Sequence, residues 1–333
     1  MAGASFPCRG ELRRLIPPNA PLPIVTIRRV KPIAITLGDP AGIGAEIVFK
    51  ALREVTLPVR LFGSRAWADP PAGIDFVDVG GKGTISYGEV DAAYGKVALD
   101  SIEAALAATR SGECSALVTA PIHKQSIALA GCEFPGHTEL LAARAGLKRY
   151  AHDYAMYFDS PSIRTVLLTV HVSLRSALDS IDADDVAALA MLMTREFERL
   201  YGRRPRLAVA GVNPHAGEGG RFGTEEEIIA RGVELAKRNG VAIDGPHAAD
   251  TLFLAARHGK HDVIIAIYHD QGLIPVKTME FERSVNVTIG LPYLRASVDH
   301  GTAFDIAGRG IADASPMRYA LEWTAQHAAR PRS

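Results

Sequence analysis

The sequence is poor in cysteine, carries no net charge and lacks long apolar runs, and each absence removes a class of protein. Among its 333 residues are three cysteines, Cys8, Cys114 and Cys132. They show no CxxC spacing, which argues against a disulfide framework or a thiolate metal site and fits a reducing compartment, with the cytoplasm as the expected location. Lys plus Arg and Asp plus Glu balance at 37 each. No broad basic face follows from that balance, so neither nucleic acid nor a membrane is an expected partner, and any anion is bound locally. No uninterrupted apolar stretch approaches the roughly 20 residues of a membrane span. Internal repeats and low-complexity linkers are missing too, so two lobes would be interleaved in sequence rather than tethered.

What is present is a 47% apolar and 22% charged chain, ample for a core of its own. Residues 1–30 are rich in Arg and Pro with Glu11 as their one acid, and are expected to be a disordered extension or the product of an early start codon. Past Lys31, short β-branched runs at 33–37, 59–62, 116–119, 165–170, 207–210 and 263–267 alternate with segments of helical period at 44–55, 91–109, 184–201 and 224–239. The chain is therefore α/β. Nearly continuous apolar runs suit parallel strands covered on both faces, and in such sheets ligands gather beyond the carboxyl ends of the strands.

Residues just past those runs carry the candidate chemistry. After the first run comes Gly38-Asp39-Pro40-Ala41-Gly42-Ile43-Gly44. A glycine-rich turn between strand and helix lets backbone N–H groups approach a cofactor, with Gly42 and Gly44 as candidates, although the spacing is not GxGxxG and a ligand-free tight turn explains it equally. Run 116–119 leads into Ala120-Pro121-Ile122-His123-Lys124, and Phe134-Pro135-Gly136-His137-Thr138-Glu139 follows. Lys124, His137 and Thr138 suit a phosphate or carboxylate at a helix start; alternatively Thr138 caps a helix beginning near Glu139 and His123 is a solvated loop residue.

Three further runs are followed by His171, His215 and His269. One histidine there is usually a satisfied core or loop residue, but three sharing one sheet edge make a plausible metal site with positions left for substrate. A glycine-rich loop, 216–223, follows His215, ahead of a helix that Thr224 and Glu227 would cap. Asp270 would orient the imidazole of His269 or cap a helix, and Asp250 reads as a cap. Lys277, Asn286 and Arg295 could clamp a phosphate, with surface salt bridges as the plainer alternative.

Together these segments resemble the 4-hydroxythreonine-4-phosphate dehydrogenase family of vitamin B6 biosynthesis over about residues 31–313. The most specific pieces are GDPAGIG, APIHK, FPGHTE, GVNPHAGEGGRFG, ADTLF, YHDQGLIPVK, VNVTIGLP and SVDHGTAFDIAG. The resemblance implies that His171, His215 and His269 bind one divalent cation (zinc, magnesium or cobalt), and that His137, Thr138, Lys277, Asn286 and Arg295 contact a small phosphorylated hydroxy acid. It also implies NAD or NADP as cofactor and an isocitrate/isopropylmalate dehydrogenase-like fold. Its lobes would comprise residues 31–130 with 302–333, and 131–301, around a mostly parallel sheet with the active-site cleft between them. A homodimer with sites at the interface is implied as well.

The implied reaction is NAD(P)-dependent oxidation and decarboxylation of 4-phosphooxy-L-threonine. Three departures bear on the substrate. Ala296 stands where the family commonly has Thr, residues 278–283 are unusually charged, and His171-Val172-Ser173-Leu174-Arg175 is similar to the branch that oxidises D-threonate or D-erythronate 4-phosphate. Two other classes remain as alternatives: a metal-dependent hydrolase or lyase of phosphorylated acids, which needs no nicotinamide, and a sensor that keeps the fold without the chemistry.

Overall fold

Residues 31–328 are described by a computed structural model, and the expected extension over residues 1–30 lies outside them. The first half contains β1 (Ile33–Thr36), α1 (Gly44–Glu54), β2 (Val59–Gly63), β3 (Asp75–Asp78), α2 (Ala92–Arg110), β4 (Ala116–Thr119), α3 (Lys124–Leu129), α4 (His137–Arg144), β5 (Ala155–Asp159) and β6 (Arg164–Leu167). The second contains α5 (Leu174–Asp179), α6 (Ala183–Tyr201), β7 (Leu207–Ala210), α7 (Glu225–Arg238), β8 (Ile243–His247), α8 (Ala249–Arg257), β9 (Val263–Ala266), α9 (His269–Glu280), β10 (Val285–Ile289), β11 (Arg295–Ser297) and α10 (Ser315–Ala328).

All eleven strands join one sheet in the order β3-β2-β1-β4-β11-β10-β5-β6-β9-β7-β8. The pairs from β3 through β11 are parallel, as are those from β6 through β8, whereas β10 runs antiparallel to β11 and β5, and β5 antiparallel to β6. Two parallel blocks therefore run in opposite directions and meet at β10 and β5. The mostly parallel α/β sheet expected from the apolar runs is present, and it crosses both segments assigned to the lobes.

The continuous runs have a packing reason. Ile33 and Ile35 enter the core under α1, while Ala34 between them faces Ile102 and Leu106 of α2. Successive side chains of β1 thus point to opposite faces, and both faces are covered. Across the second block, Val166, Val209 and Ile265 pack with α6 and α7, and Leu167, Ala208 and Ile264 with Leu252 of α8 and Leu273 of α9. Burying each such aliphatic side chain contributes about 1.5–3 kcal/mol.

Helix ends follow local chemistry, not always the one expected. The carboxylate of Asp182 accepts from the N–H groups of Asp184 and Asp185 to start α6, and Gly202 ends it at φ 71. Thr224 precedes α7 but makes no side-chain cap bond; its N–H instead donates to Glu225. Asp250 lies inside the first turn of α8, whose cap is Ala248. There its charge favours the helix dipole without capping. Among the described residues no helix is long and apolar enough to cross a membrane.

Candidate active site

A cavity of about 340 Å³ opens where the two blocks meet. Asn286 pairs across the sheet with Ser297 on one side and Phe158 on the other, so these side chains share one face, and all three line the cavity. Arg295, from β11, also lies on it. All five residues expected to contact substrate are brought together here: His137 and Thr138 from α4, Lys277 from α9, Asn286 and Arg295 from the sheet.

The sequence alternatives fall away for Thr138 and Arg295, whereas Lys277 does form an ion pair, with Asp299. Gly136 precedes α4, which begins at His137, so Thr138 is a buried first-turn residue rather than its cap. Arg295 is 2% exposed and makes no salt bridge among the described residues; its guanidinium donates to Thr288 Oγ1 at 2.9 Å and Thr119 Oγ1 at 2.7 Å. Burial pushes its pKa down to about 10. Two hydroxyls hold this charge in place without neutralising it, and its Nε is left with no partner. An uncompensated buried cation is costly unless an anion joins it.

The neighbours reinforce that demand. Burial, with Arg295 adding to it, holds His137 well below the ordinary imidazole range, so the ring is neutral. Its Nε2 and the Asn286 Oδ1 are buried without partners. Lys277 Nζ lies 3.5 Å from Asp299 Oδ2, and burial pushes Asp299 up to about 6 despite that lysine. Lys124 lines the same cavity. His123, read alternatively as a solvated loop residue, is partly buried: its Nδ1 accepts from Ser126 N–H at 3.4 Å and its ring stacks on Phe304 at 4.6 Å.

The three histidines are placed unequally. They follow β6, β7 and β9, which are adjacent and parallel, so the shared edge read from the sequence exists. His171 and His269 line the cavity with ring centroids 5.8 Å apart. His269 Nδ1 pairs with Asp270 Oδ1 at 2.7 Å, which leaves Nε2 for a ligand, as the orienting role of Asp270 requires. His215 is not among the lining residues. It sits in a 3-10 turn, Pro214–Gly220, whose residues 215–219 all have positive φ, and its ring faces Phe222. A single chain brings two of the three together.

Gly42 and Gly44 are explained by the chain itself. A Cβ on Gly44 would lie 2.1 Å from the Leu37 carbonyl oxygen, and one on Gly42 2.9 Å from Thr302 Cβ. The Gly42 N–H already donates to Asp39 O at 3.0 Å.

Two wall residues escaped the sequence reading. Glu139 Oε1 lies 3.8 Å from His171 Nδ1, and Asp299 faces Lys277. Both sit in quoted motifs, FPGHTE and SVDHGTAFD, but only the fold shows which side chain turns inward. Ala296, conversely, is fully buried on the opposite face, paired with Val287 and Val118 in the core. The charged stretch 278–283 also lies outside the lining. The departure at 171–175 does reach the site: Val172 and Leu174 line a second cavity of about 230 Å³ that shares His171 and His269.

Comparison with known proteins agrees in sequence and fold. The profile of the family described as pyridoxal phosphate biosynthetic protein PdxA matches residues 34–324. A 4-hydroxythreonine-4-phosphate dehydrogenase from Beijerinckia indica is 42% identical, over 88% of this chain and 94% of that one. A D-threonate 4-phosphate dehydrogenase from Pectobacterium atrosepticum is 37% identical, over 89% of this chain and 99% of that one. The crystal structure of 4-hydroxythreonine-4-phosphate dehydrogenase from Klebsiella pneumoniae superposes with a TM-score of 0.81 at 39% identity, covering 90% of this chain and all of that one. Isocitrate dehydrogenase from Methylococcus capsulatus shares the fold at a TM-score of 0.50 and 14% identity, covering 90% of this chain and 86% of that one.

Proposed function

Because the chain belongs to the pyridoxal phosphate biosynthetic protein PdxA family, we propose that it oxidises and decarboxylates 4-phosphooxy-L-threonine with NAD or NADP, giving 3-amino-2-oxopropyl phosphate for pyridoxal 5'-phosphate biosynthesis. The observation that carries the reading is the buried, unneutralised guanidinium of Arg295 on the cavity wall. A substrate phosphate supplies the missing anion. Arg295 and Lys277 hold its charge, Thr138 and the first N–H groups of α4 donate to it, and neutral His137 adds a hydrogen bond without adding a charge.

The donor set at His171 and His269 fits a divalent cation, with His215 as third ligand. Such an ion, when bound, lowers the pKa of the substrate hydroxyl and draws electrons from the bond that breaks on decarboxylation. The chain's own part is to orient His269 through Asp270 and to fix the carbinol opposite the phosphate. Asp299, raised to about 6 and facing the cavity, receives the hydroxyl proton at Oδ2, with Lys277 beside it. Gly42 and Gly44 make room for Thr302 and the Leu37 carbonyl, and no step is assigned to them. Oxidation would send the C3 hydride to the nicotinamide cofactor, and loss of the carboxylate as carbon dioxide leaves an electron pair that C2 takes up with the proton Asp299 returns.

A homodimer accounts for the displaced third histidine, because a loop turned away from its own cavity is free to serve a partner's. Exposed Val172 and Leu174 at the lip beside His171 support a second copy covering it. The lobes 31–130 with 302–333, and 131–301, would then close over the cavity, in the cytoplasm.

A second reading, oxidation of D-threonate 4-phosphate, is favoured by one observation, the contact of segment 171–175 with the site. Purified protein assayed for NAD(P)H formation with 4-phosphooxy-L-threonine and with D-threonate and D-erythronate 4-phosphates, with and without chelator, distinguishes the branches. The proposal predicts the highest kcat/KM for the first substrate and loss of turnover with chelator. Turnover without any nicotinamide would move the protein to the hydrolase or lyase class.

A further inference from the structure

We propose a second divalent-metal site, apart from the catalytic cavity, formed by Asp244 and His247 of β8 and by His261 in the turn that enters β9. Among the described residues these three form a group in which one ligand atom from each lies within 4.8 Å of the others. None of the three lines the catalytic cavity. β8 is the last strand of the sheet, paired on one side by β7 alone, so the cluster stands at an outer edge with room for a solvent ligand.

The geometry is close to that of a bound ion. Asp244 Oδ1 lies 2.9 Å from His247 Nε2 and 3.6 Å from His261 Nδ1. A tetrahedral centre with bonds of about 2.0–2.1 Å separates its ligand atoms by about 3.3–3.4 Å. Small side-chain adjustments therefore suffice. Two imidazoles and one carboxylate favour zinc or a similar transition ion over magnesium or calcium, which prefer all-oxygen shells.

His261 brings a buried ring to the cluster. Its side chain is 4% exposed, its Nε2 is buried without a hydrogen-bond partner, and its Nδ1 faces the carboxylate at more than hydrogen-bond distance. An ion bound at Nδ1 would take up the nitrogen that faces Asp244. Of the nearby cations, Arg206 is engaged by Asp262 at 3.2 Å, which reduces its opposition to a bound ion.

An ion here would join β8 to the turn before β9. The His247 carbonyl accepts from Gly211 N–H at 2.8 Å, at the start of the loop that carries His215. The site would thus brace the edge from which that loop departs. Its role is structural, by the same coupling of metal binding to folding seen wherever ligands converge only in the native state.

The test uses untagged full-length protein carrying His171→Ala and His269→Ala, so that the proposed catalytic centre is disabled, with Zn²⁺ as probe. Metal analysis after dialysis and thermal melts with and without Zn²⁺ are the readouts. The proposal predicts one zinc per chain in this background and a rise in melting temperature on adding zinc, both lost when His247→Ala or Asp244→Asn is added. Those two side chains are partly exposed, so their replacement leaves the fold intact even if His261→Asn does not. No zinc in the background variant, or zinc retained with His247→Ala and Asp244→Asn together, overturns the site, and neither result bears on turnover by the wild-type enzyme.

Discussion

Arg295 Nη2 donates to Thr119 Oγ1 at 2.7 Å, tying a buried cation of β11 to β4 through a neutral group. The bond fixes where the charge points but leaves it unneutralised. Thr119→Val should therefore free one side of the guanidinium and reduce kcat/KM for the phosphorylated substrate by about tenfold, the value of one hydrogen bond to a charged group. Steady-state kinetics read this directly, and an unchanged kcat/KM would show that Thr119 does not position the charge.

The same burial predicts a conflict between stability and binding. With no ligand, Arg295→Met removes a buried charge that no salt bridge offsets and should leave the protein as stable or raise its stability by about 1–4 kcal/mol. Chemical denaturation in phosphate-free buffer measures it. A loss of several kcal/mol would mean that the two threonine contacts outweigh desolvation.

Asp299 gives a pH dependence of defined sign. Its folded pKa of about 6 lies above the ordinary 3.8, so between these values the folded chain holds a proton that the unfolded chain has released. This group's contribution to stability accordingly falls as pH rises from about 4 through 6, by an amount on the order of 3 kcal/mol when complete. Asp299→Asn should abolish that slope in ligand-free melts and lower kcat. Identical pH profiles for variant and wild type would contradict the assignment.

Ala296 separates sequence departure from site chemistry. It packs between Val118 and Val287, facing away from the cavity. Ala296→Thr should cost about 1–3 kcal/mol by overpacking while leaving the preference between 4-phosphooxy-L-threonine and D-threonate 4-phosphate unchanged. A shifted preference at unchanged stability would reverse this conclusion.

Much of this architecture was legible in the sequence, and the gaps have physical causes. Runs such as 116–119, 207–210 and 263–267 announce themselves because strands covered on both faces need no polar alternation. β10 and β11 are hidden, since Asn286 and Arg295, the residues that build the site, interrupt their apolar pattern. The sequence therefore suggested parallel strands but not the antiparallel junction on which the cavity rests. His137, Thr138, Lys277, Asn286 and Arg295 line one cavity, whereas the inward turn of Glu139 and Asp299 depends on tertiary packing alone. Thr224 and Asp250 carry the right residue types for caps, and neighbouring groups displace them from that role.

The central claim, that the buried charge of Arg295 is the partner of a substrate phosphate, is tested most directly by the kinetics of Arg295→Gln with 4-phosphooxy-L-threonine, alongside its melting temperature. With the fold intact, the account predicts a fall in kcat/KM of about a hundredfold or more, the loss of a forked contact to phosphate in a buried site. A folded variant that keeps wild-type kcat/KM would contradict it.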